Sequence, residues 1–523
     1  MTKQLSADDA VALIPDNAVV AVNSSSGLCC PDRVLQALGE RFEVAGSPKN
    51  LTTIHPIAAG DMFGVKGVDH IAKPGCLSKI IGGSYPSGPS AAEPPRIWQM
   101  IARNQVQAYN LPSGIIFDML REGAGHRPGV LTKVGMETFV DPDLEGGAMN
   151  AAAAAEPIVK RVRFEGEDWL YFAALRPDVA IIRATTGDER GNLGFASEGA
   201  YLGAMEMALA AHNCGGIVIA QVKKTVANGT LRPHDVHVPG ILVDAVVEAP
   251  DMLQTTATDY DPAISGELIR PIDSFRRMDF GVPKIIARRV ARELRQGWAV
   301  NIGFGVSANV PRVFIEEGFH GAVTWVIEQG AIGGVPLLDF KFGCAANADA
   351  FVTSPHQFTY FQAGGFDASL LSFLEIGADG SVNVSRLKST PHRTAGAGGF
   401  IDITARARRI VFSGTFNAGA KMRIEDGKLV IDREGHTAKL VPEVDHVSFS
   451  GRRAIELGQE VTYITERCVM RLTGGGLEVT EIAQGVDLER DVLAQAKAPL
   501  RVADALRVMD AALFFPSPIG LAP

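Results

Sequence analysis

Val323-Thr-Trp-Val-Ile327 is an apolar run rich in β-branched and aromatic residues, as buried strands are, and Glu328 follows at its end, ahead of Gln329-Gly-Ala-Ile-Gly-Gly334. In a parallel sheet the loops after the strands line the ligand cleft, so this carboxylate is expected to face it. The three glycines that follow let a bound molecule come close to the backbone. A functional carboxylate is one reading of Glu328; a helix cap or a surface partner for an arginine is the other. A second stretch, Thr394-Ala-Gly-Ala-Gly-Gly-Phe-Ile-Asp402, offers backbone N–H groups at Gly396, Gly398 and Gly399 that suit an oxyanion or a phosphate, although glycine-rich turns are common. The third, Gly303-Phe-Gly-Val-Ser-Ala-Asn309, approaches the dinucleotide fingerprint but has Ala308 at the third glycine position, which leaves a nicotinamide site open as an alternative. His234 and His237 have no evident third ligand nearby, and Cys29-Cys30 read better as small buried hydrophobes than as nucleophiles. The serine-hydrolase elbow, the zincin motif and the P-loop are absent from the sequence.

These groups need a scaffold, and its elements repeat. Ser6-Ala-Asp-Asp9 starts a helix that runs to Pro15; Val19 to Val22 is a strand; the loop Asn23 to Cys30 leads to Pro31 and a second helix. About 280 residues later Pro283 opens a helix, Gly297 ends it, Trp298 to Ile302 is a strand, and the Gly303 loop leads to Pro311. Asp178 to Gly191 and Asp367 to Gly380 form a second matched pair, each an apolar strand with a polar turn. Strands Ile217 to Ala220 and Ile410 to Ser413 follow them. The expected fold is α/β: two similar open α/β domains with mostly parallel sheets, arising from an internal duplication. The expected units are 1–270 and 284–523, joined by a linker over 262–283 that mixes Pro, Gly and charge. The Ala-rich stretch Val140 to Pro157 reads as an exposed arm or as a plain helical turn.

Composition narrows the partners. Among 523 residues, 46% are hydrophobic and 21% charged, which excludes disorder, and the formal charge of −9 without long single-sign runs argues against nucleic acid. Six cysteines contain no CxxC pair, so no disulfide framework or zinc ribbon is indicated and a reducing cytoplasm is expected. No apolar run approaches the ~20 residues that cross a bilayer, and the opening MTKQLSADDAVALIPDN does not read as a signal peptide.

Glu328-Gln-Gly-Ala-Ile-Gly-Gly334, combined with Gly398-Gly399-Phe-Ile-Asp402, resembles the family I coenzyme A transferases. The likeness is greatest to the bacterial acetate and propionate branch, and less to succinyl-CoA:3-ketoacid CoA-transferase. It extends through IPDNAVV, ETFVDP, IIRATTGDERGN, GGIVIAQV, IARRVARELRQG and ITERCV. The resemblance implies a CoA-transferase of short-chain fatty acid or ketone-body metabolism, moving CoA between a short- or medium-chain acyl-CoA and a carboxylate acceptor. It further implies a ping-pong route through a glutamyl-CoA thioester on Glu328. Gly303, Gly305, Val306, Ser307 and Ala308 would contact CoA, and Gly396, Gly398 and Gly399 would contact CoA or the developing oxyanion. Ser113 stands where many relatives carry a glutamine thought to help bind the oxyanion or acyl carboxylate, and Asn23 to Cys30 lacks the glycine cluster common in the acetate branch. CoA is then a substrate, with no metal and no tightly bound cofactor, and the chain is expected to form a homodimer or homotetramer. An acyl-CoA hydrolase using the same glutamate, or a nicotinamide-dependent oxidoreductase on the Gly303 loop, are the alternatives.

Overall fold

The computed structural model describes residues 3–86, 94–390 and 394–523. Its first half is organised round the strand Val179–Asp188, every residue of which is buried. A run such as Val-Ala-Ile-Ile suits this position because a central parallel strand is covered on both faces. On one side of it lie Val19–Val22, Leu51–His55, Leu77–Gly82 and Gln107–Asn110; on the other lie Ile217–Val226, Ala245–Glu248 and Gln4–Leu5. All these pairings are parallel. In the second half Ala368–Leu371 takes the central place, with Ala299–Ile302 and Thr324–Val326 on one side and Arg409–Ser413 and Glu460–Ile464 on the other, again all parallel. Each half therefore has a five-strand parallel unit in which the first two strands, in reversed order, precede the third, fourth and fifth.

The match reaches individual hydrogen bonds. Val19 N–H donates to the Asp178 carboxylate at 2.8 Å and Asp178 N–H returns to Val19 O at 2.8 Å; Ala299 N–H donates to the Asp367 carboxylate and Asp367 N–H returns to Ala299 O, both at 2.9 Å. Immediately past the end of the same strands, Asn23 N–H reaches Ile181 O at 3.0 Å and Gly303 N–H reaches Leu370 O at 2.8 Å. Asp178 and Asp367, the aspartates that open the matched segments in the sequence, thus occupy equivalent places. In this strand order the chain reverses direction across the sheet between the first and third strands, and the crevice at their carboxyl ends is the expected ligand site.

Helices cover the sheets and join the halves. Ser113–Ala124 packs on Ala204–Asn213 within the first half and on Ser354–Gln362 of the second. Phe117 and Phe358 meet in that seam with ring centroids 6.0 Å apart, inside one apolar cluster that spans both halves. Local boundaries follow ordinary capping: Ser6 caps Ala7–Ala12 by accepting from Asp9 N–H, and Gly46 ends Asp32–Ala45 in the left-handed region. Pro31 lies just outside its helix rather than in the first turn. The Ala-rich stretch resolves into one helical turn, Ala151–Ala154, capped by Asn150, while Val140 and Asp141 at its start are buried. Between 262 and 281 there is a single short 3-10 turn, Ile272–Ser274, before the helix Val282–Ala291. Among the described residues no helix is long and apolar enough to cross a membrane.

Candidate active site

Glu328 follows Thr324–Val326 at the carboxyl edge of the second sheet. Trp325 anchors that strand in the core against Phe314, with centroids 5.7 Å apart. The chain then turns back at once: Ile327 N–H donates to Ala331 O at 3.0 Å, and Ala331–Ile332 pairs antiparallel with the strand. Gly330 makes this turn possible, because its φ is +117° and a Cβ there would run into Val352 O. Glu328 is therefore held at a hairpin tip rather than at a helix start.

The Gln329 amide donates to Glu328 Oε1 at 3.2 Å and to Ser25 Oγ, from the first half, at 3.0 Å. On the other side Gly399 approaches so closely that a Cβ on it would lie 2.5 Å from Glu328 Oε2 and 2.5 Å from Phe358 Cε1. Among the described residues no lysine or arginine pairs with Glu328. Part of its surface stays open, yet the surrounding packing pushes its pKa up to about 7, only partly offset by the Gln329 amide. Such a carboxylate is poised to ionise near neutrality while remaining poorly solvated, which favours nucleophilic use.

The glycine-rich loop above it is stitched to the first half. Tyr85 N–H donates to Ala395 O at 2.9 Å, Gly398 N–H to Gly83 O at 2.8 Å and Ser113 N–H to Gly398 O at 3.0 Å, while Asn110 Oδ1 accepts from Ala397 N–H at 3.0 Å. Gly396 and Gly398 thus serve this contact, with the Gly398 N–H already engaged. Gly399 is the glycine that faces Glu328, and no described residue accepts from its N–H. Ser113 is fully buried, and its hydroxyl donates to Pro56 O at 2.6 Å. It supports the loop from behind, and the structure shows no contact between Ser113 and Glu328.

One further acid belongs here. Asp402, fully buried two residues into the helix Phe400–Thr404, accepts from Gly114 N–H of the first half and from the Gln362 amide, both at 2.9 Å. Burial pushes its pKa up to about 8; the Gln362 amide and Gly114 N–H oppose this, and the negative charges of Asp118 and Glu328 add to it.

Comparisons with known proteins identify the family. Residues 4–249 match the coenzyme A transferase family. The chain is 38% identical over 519 residues to the caffeate CoA-transferase of Acetobacterium woodii, covering 98% of each. It is 37% identical over 519 residues to the acetate CoA-transferase YdiF of Escherichia coli K12, covering 99% of this chain and 96% of that one. The chain belongs to the coenzyme A transferase family. The acyl-CoA transferase YdiF of Escherichia coli O157:H7, solved as a thioester complex with CoA, superposes with a TM-score of 0.91 at 36% identity, covering 100% of this chain and 98% of that one.

Seen as a CoA-transferase, the remaining motifs fall into place or out of it. The Gly303 loop lies beside the crevice, at the carboxyl end of Ala299–Ile302. Gly303, Gly305 and Val306 are partly open, whereas Ser307 and Ala308 are buried in the 3-10 turn Val306–Asn309. The Ser307 hydroxyl has no partner among the described residues. Cys29 and Cys30 are buried, and desolvation raises both thiols, so neither is an available thiolate. His237 stacks on Tyr201 at 4.0 Å and is a packing residue. Gln329, Ser25, Asn110 and Asp402 were not distinguishable as site residues by spacing; only the adjacency of Gln329 to Glu328, and of Asp402 to the glycine loop, hinted at them.

Proposed function

We propose that this CoA-transferase works by a ping-pong mechanism through a glutamyl-CoA thioester on Glu328. The observation that carries the reading is Glu328 itself: a poorly hydrated carboxylate at the crevice with no cation partner among the described residues, oriented by Gln329 and approached by Gly399. YdiF, solved as a thioester complex with CoA, supports it. A Glu328 oxygen attacks the thioester carbon; the tetrahedral oxyanion collapses, the C–S bond breaks, and an acyl-glutamyl anhydride and CoA thiolate result. The thiolate attacks the glutamyl carbonyl and expels the acyl group as a carboxylate, leaving the enzyme thioester. An acceptor carboxylate then runs the same two steps in reverse and regenerates Glu328. No net proton is taken up.

In this reading the free Gly399 N–H serves the oxyanion, a kind of donor whose loss typically costs ~3 kcal/mol. Gly396, Gly398 and Ser113 hold its loop, and the Gly303–Ala308 segment takes part of CoA, with contact along the CoA arm raising the rate at the distant thioester. The acetate CoA-transferase among the relatives supports a short-chain acyl donor and a carboxylate acceptor, whereas the caffeate CoA-transferase is named for a larger aromatic acid. We place the two units at 1–270 and 284–523, since the family match ends at residue 249, just before the irregular 262–281 segment. The cysteines, free and mostly buried, fit a reducing cytoplasm. A homo-oligomer is the expected form.

The test is to incubate the protein with an acyl-CoA, quench, and weigh the peptide containing Glu328. A mass increase equal to bound CoA, absent in Glu328→Gln, supports the thioester; its absence under turnover rejects it. Release of free CoA at the full rate without any carboxylate acceptor would make the enzyme a hydrolase instead.

A further inference from the structure

We propose that Asp402 is a positioning residue, whose buried carboxyl group grips Gly114 of the first half and Gln362 of the second and so fixes the Gly398–Gly399 loop against Glu328. The inference rests on Glu328 being the nucleophile and adds the device that aligns it.

Three observations support it. Both carboxyl oxygens of Asp402 accept hydrogen bonds, from Gly114 N–H and from the Gln362 amide, each at 2.9 Å. Gly114 shows how closely the groups fit: a Cβ there would lie 2.6 Å from Asp402 Oδ1, 2.7 Å from Gln362 Nε2 and 2.8 Å from Phe358 Cβ. Asp402 also follows Gly399 by three residues, and the Ser113 N–H beside Gly114 donates to Gly398 O. The same two N-terminal residues of Ser113–Ala124 thus hold the loop at Gly398 and the helix behind it at Asp402.

The surroundings make Asp402 an expensive choice for mere packing. It is sealed from solvent and among the described residues no cation pairs with it. The charged groups that face it are Asp118, itself paired with Arg121 at 3.0 Å on Ser113–Ala124, and Glu328. A buried acid without a cation is destabilising unless donors hold it, and here the donors come from opposite halves of the chain. The arrangement makes the position of the loop depend on the two halves being in register.

The experiment compares wild type, Asp402→Ala, Asp402→Asn and Gln362→Leu, each checked by circular dichroism, for the rate at which acyl-CoA labels the Glu328 peptide and for kcat and KM. Asp402→Ala is expected to lower kcat and the labelling rate at least tenfold while KM for acyl-CoA changes less than about threefold. Asp402→Asn should recover most of the loss: its oxygen can accept from Gly114 N–H, and its amide can donate to a flipped Gln362 side chain. Gln362→Leu, which removes one of the two grips, should slow labelling several-fold. If wild type itself acquires no label, the glutamyl reading fails. If wild type is labelled and the alanine and leucine variants are labelled at the same rate, Asp402 does not position the loop. Should Asp402→Ala fail to fold, Gln362→Leu decides: slowed labelling supports the inference and an unchanged rate overturns it.

Discussion

Replacing Gly399 by alanine adds one methyl group at the point where the glycine loop meets Glu328, the proposed nucleophile. The new Cβ would lie 2.5 Å from Glu328 Oε2 and 2.5 Å from Phe358 Cε1, about 0.9 Å inside the 3.4 Å at which ordinary contact begins. Phe358 cannot give way easily, because it is 1% exposed and packed against Phe117 and Phe361. The displacement therefore falls on Glu328 and on the loop. Misplacing a reacting group by about 1 Å can cost ~10²-fold, equivalent to ~2.7 kcal/mol in the barrier. Overpacking costs the fold a further ~1–3 kcal/mol. Gly399→Ala should thus lower kcat about a hundredfold and melt a few degrees lower, while KM for acyl-CoA moves little if CoA is held, as proposed, by the separate Gly303–Ala308 segment. Steady-state transfer from acyl-CoA to acetate, measured beside a thermal melt, reads both. A variant with wild-type kcat would show that the loop does not press on Glu328 during turnover.

Glu328→Asp withdraws the carboxylate by one methylene, so on the proposed mechanism most turnover should vanish while CoA still binds; steady-state kinetics with near-normal kcat would refute this. On the proposed mechanism the attacking form of Glu328 is ionised, and since its pKa is raised to about 7, log kcat/KM should climb with a slope of one below pH 7 and level above it. The same raised value means that the folded protein binds this proton more tightly than the unfolded chain: its contribution to stability is greatest below about pH 4.5 and fades as pH rises to about 7. A rate independent of pH between 5.5 and 8 would count against this assignment. Glu198→Ala strands Arg183, whose ion pair at 3.1 Å is nearly sealed, with side chains 4% and 2% exposed; breaking a buried pair costs ~3–5 kcal/mol, so the melting temperature should fall by several degrees. An unchanged melt would show that Leu253 O, which also accepts from Arg183, suffices.

Local patterns were readable in the sequence because they answer to local physics. Ser6 announced a helix start, Pro283 and Pro311 marked helix first turns, and the Asp178 and Asp367 segments revealed a repeat that the hydrogen bonds of those two aspartates reproduce. Glu328 at a strand end was legible for the same reason. The partners of these elements were not. Ser25 and Gln329 are 304 positions apart, and Gly114 and Asp402 are 288 apart, so no periodicity connects them. The setting of Ser113 was also hidden: the resemblance marked it only as standing where many relatives carry a glutamine, and only the fold shows its hydroxyl sealed against Pro56.

The repeat also shows why only one half carries the proposed nucleophile. Val20 pairs with Thr53 as Val300 pairs with Trp325, so three positions further along, Pro56 occupies the place of Glu328. Pro56 has no side-chain nucleophile, and its carbonyl serves as the acceptor for Ser113. The counterpart of the Gly399 turn differs in the same sense. In the first half Gly203, preceding the helix Ala204–Asn213, donates its N–H to the Asn23 side chain at 3.0 Å. In the second half the position of Asn23 is taken by Gly303, which has no side chain to accept, and no described residue accepts from the N–H of Gly399 at the start of Phe400–Thr404. On the proposed mechanism, an acid replacing a proline and a glycine replacing an asparagine thus supply, at one crevice, both a group to attack a carbonyl carbon and a donor for the oxygen that becomes negative. The first half, with neither change, is left to hold the loop. Restoring the acceptor by Gly303→Asn should therefore slow transfer without removing Glu328, since the added amide oxygen would compete with the oxyanion for the Gly399 N–H.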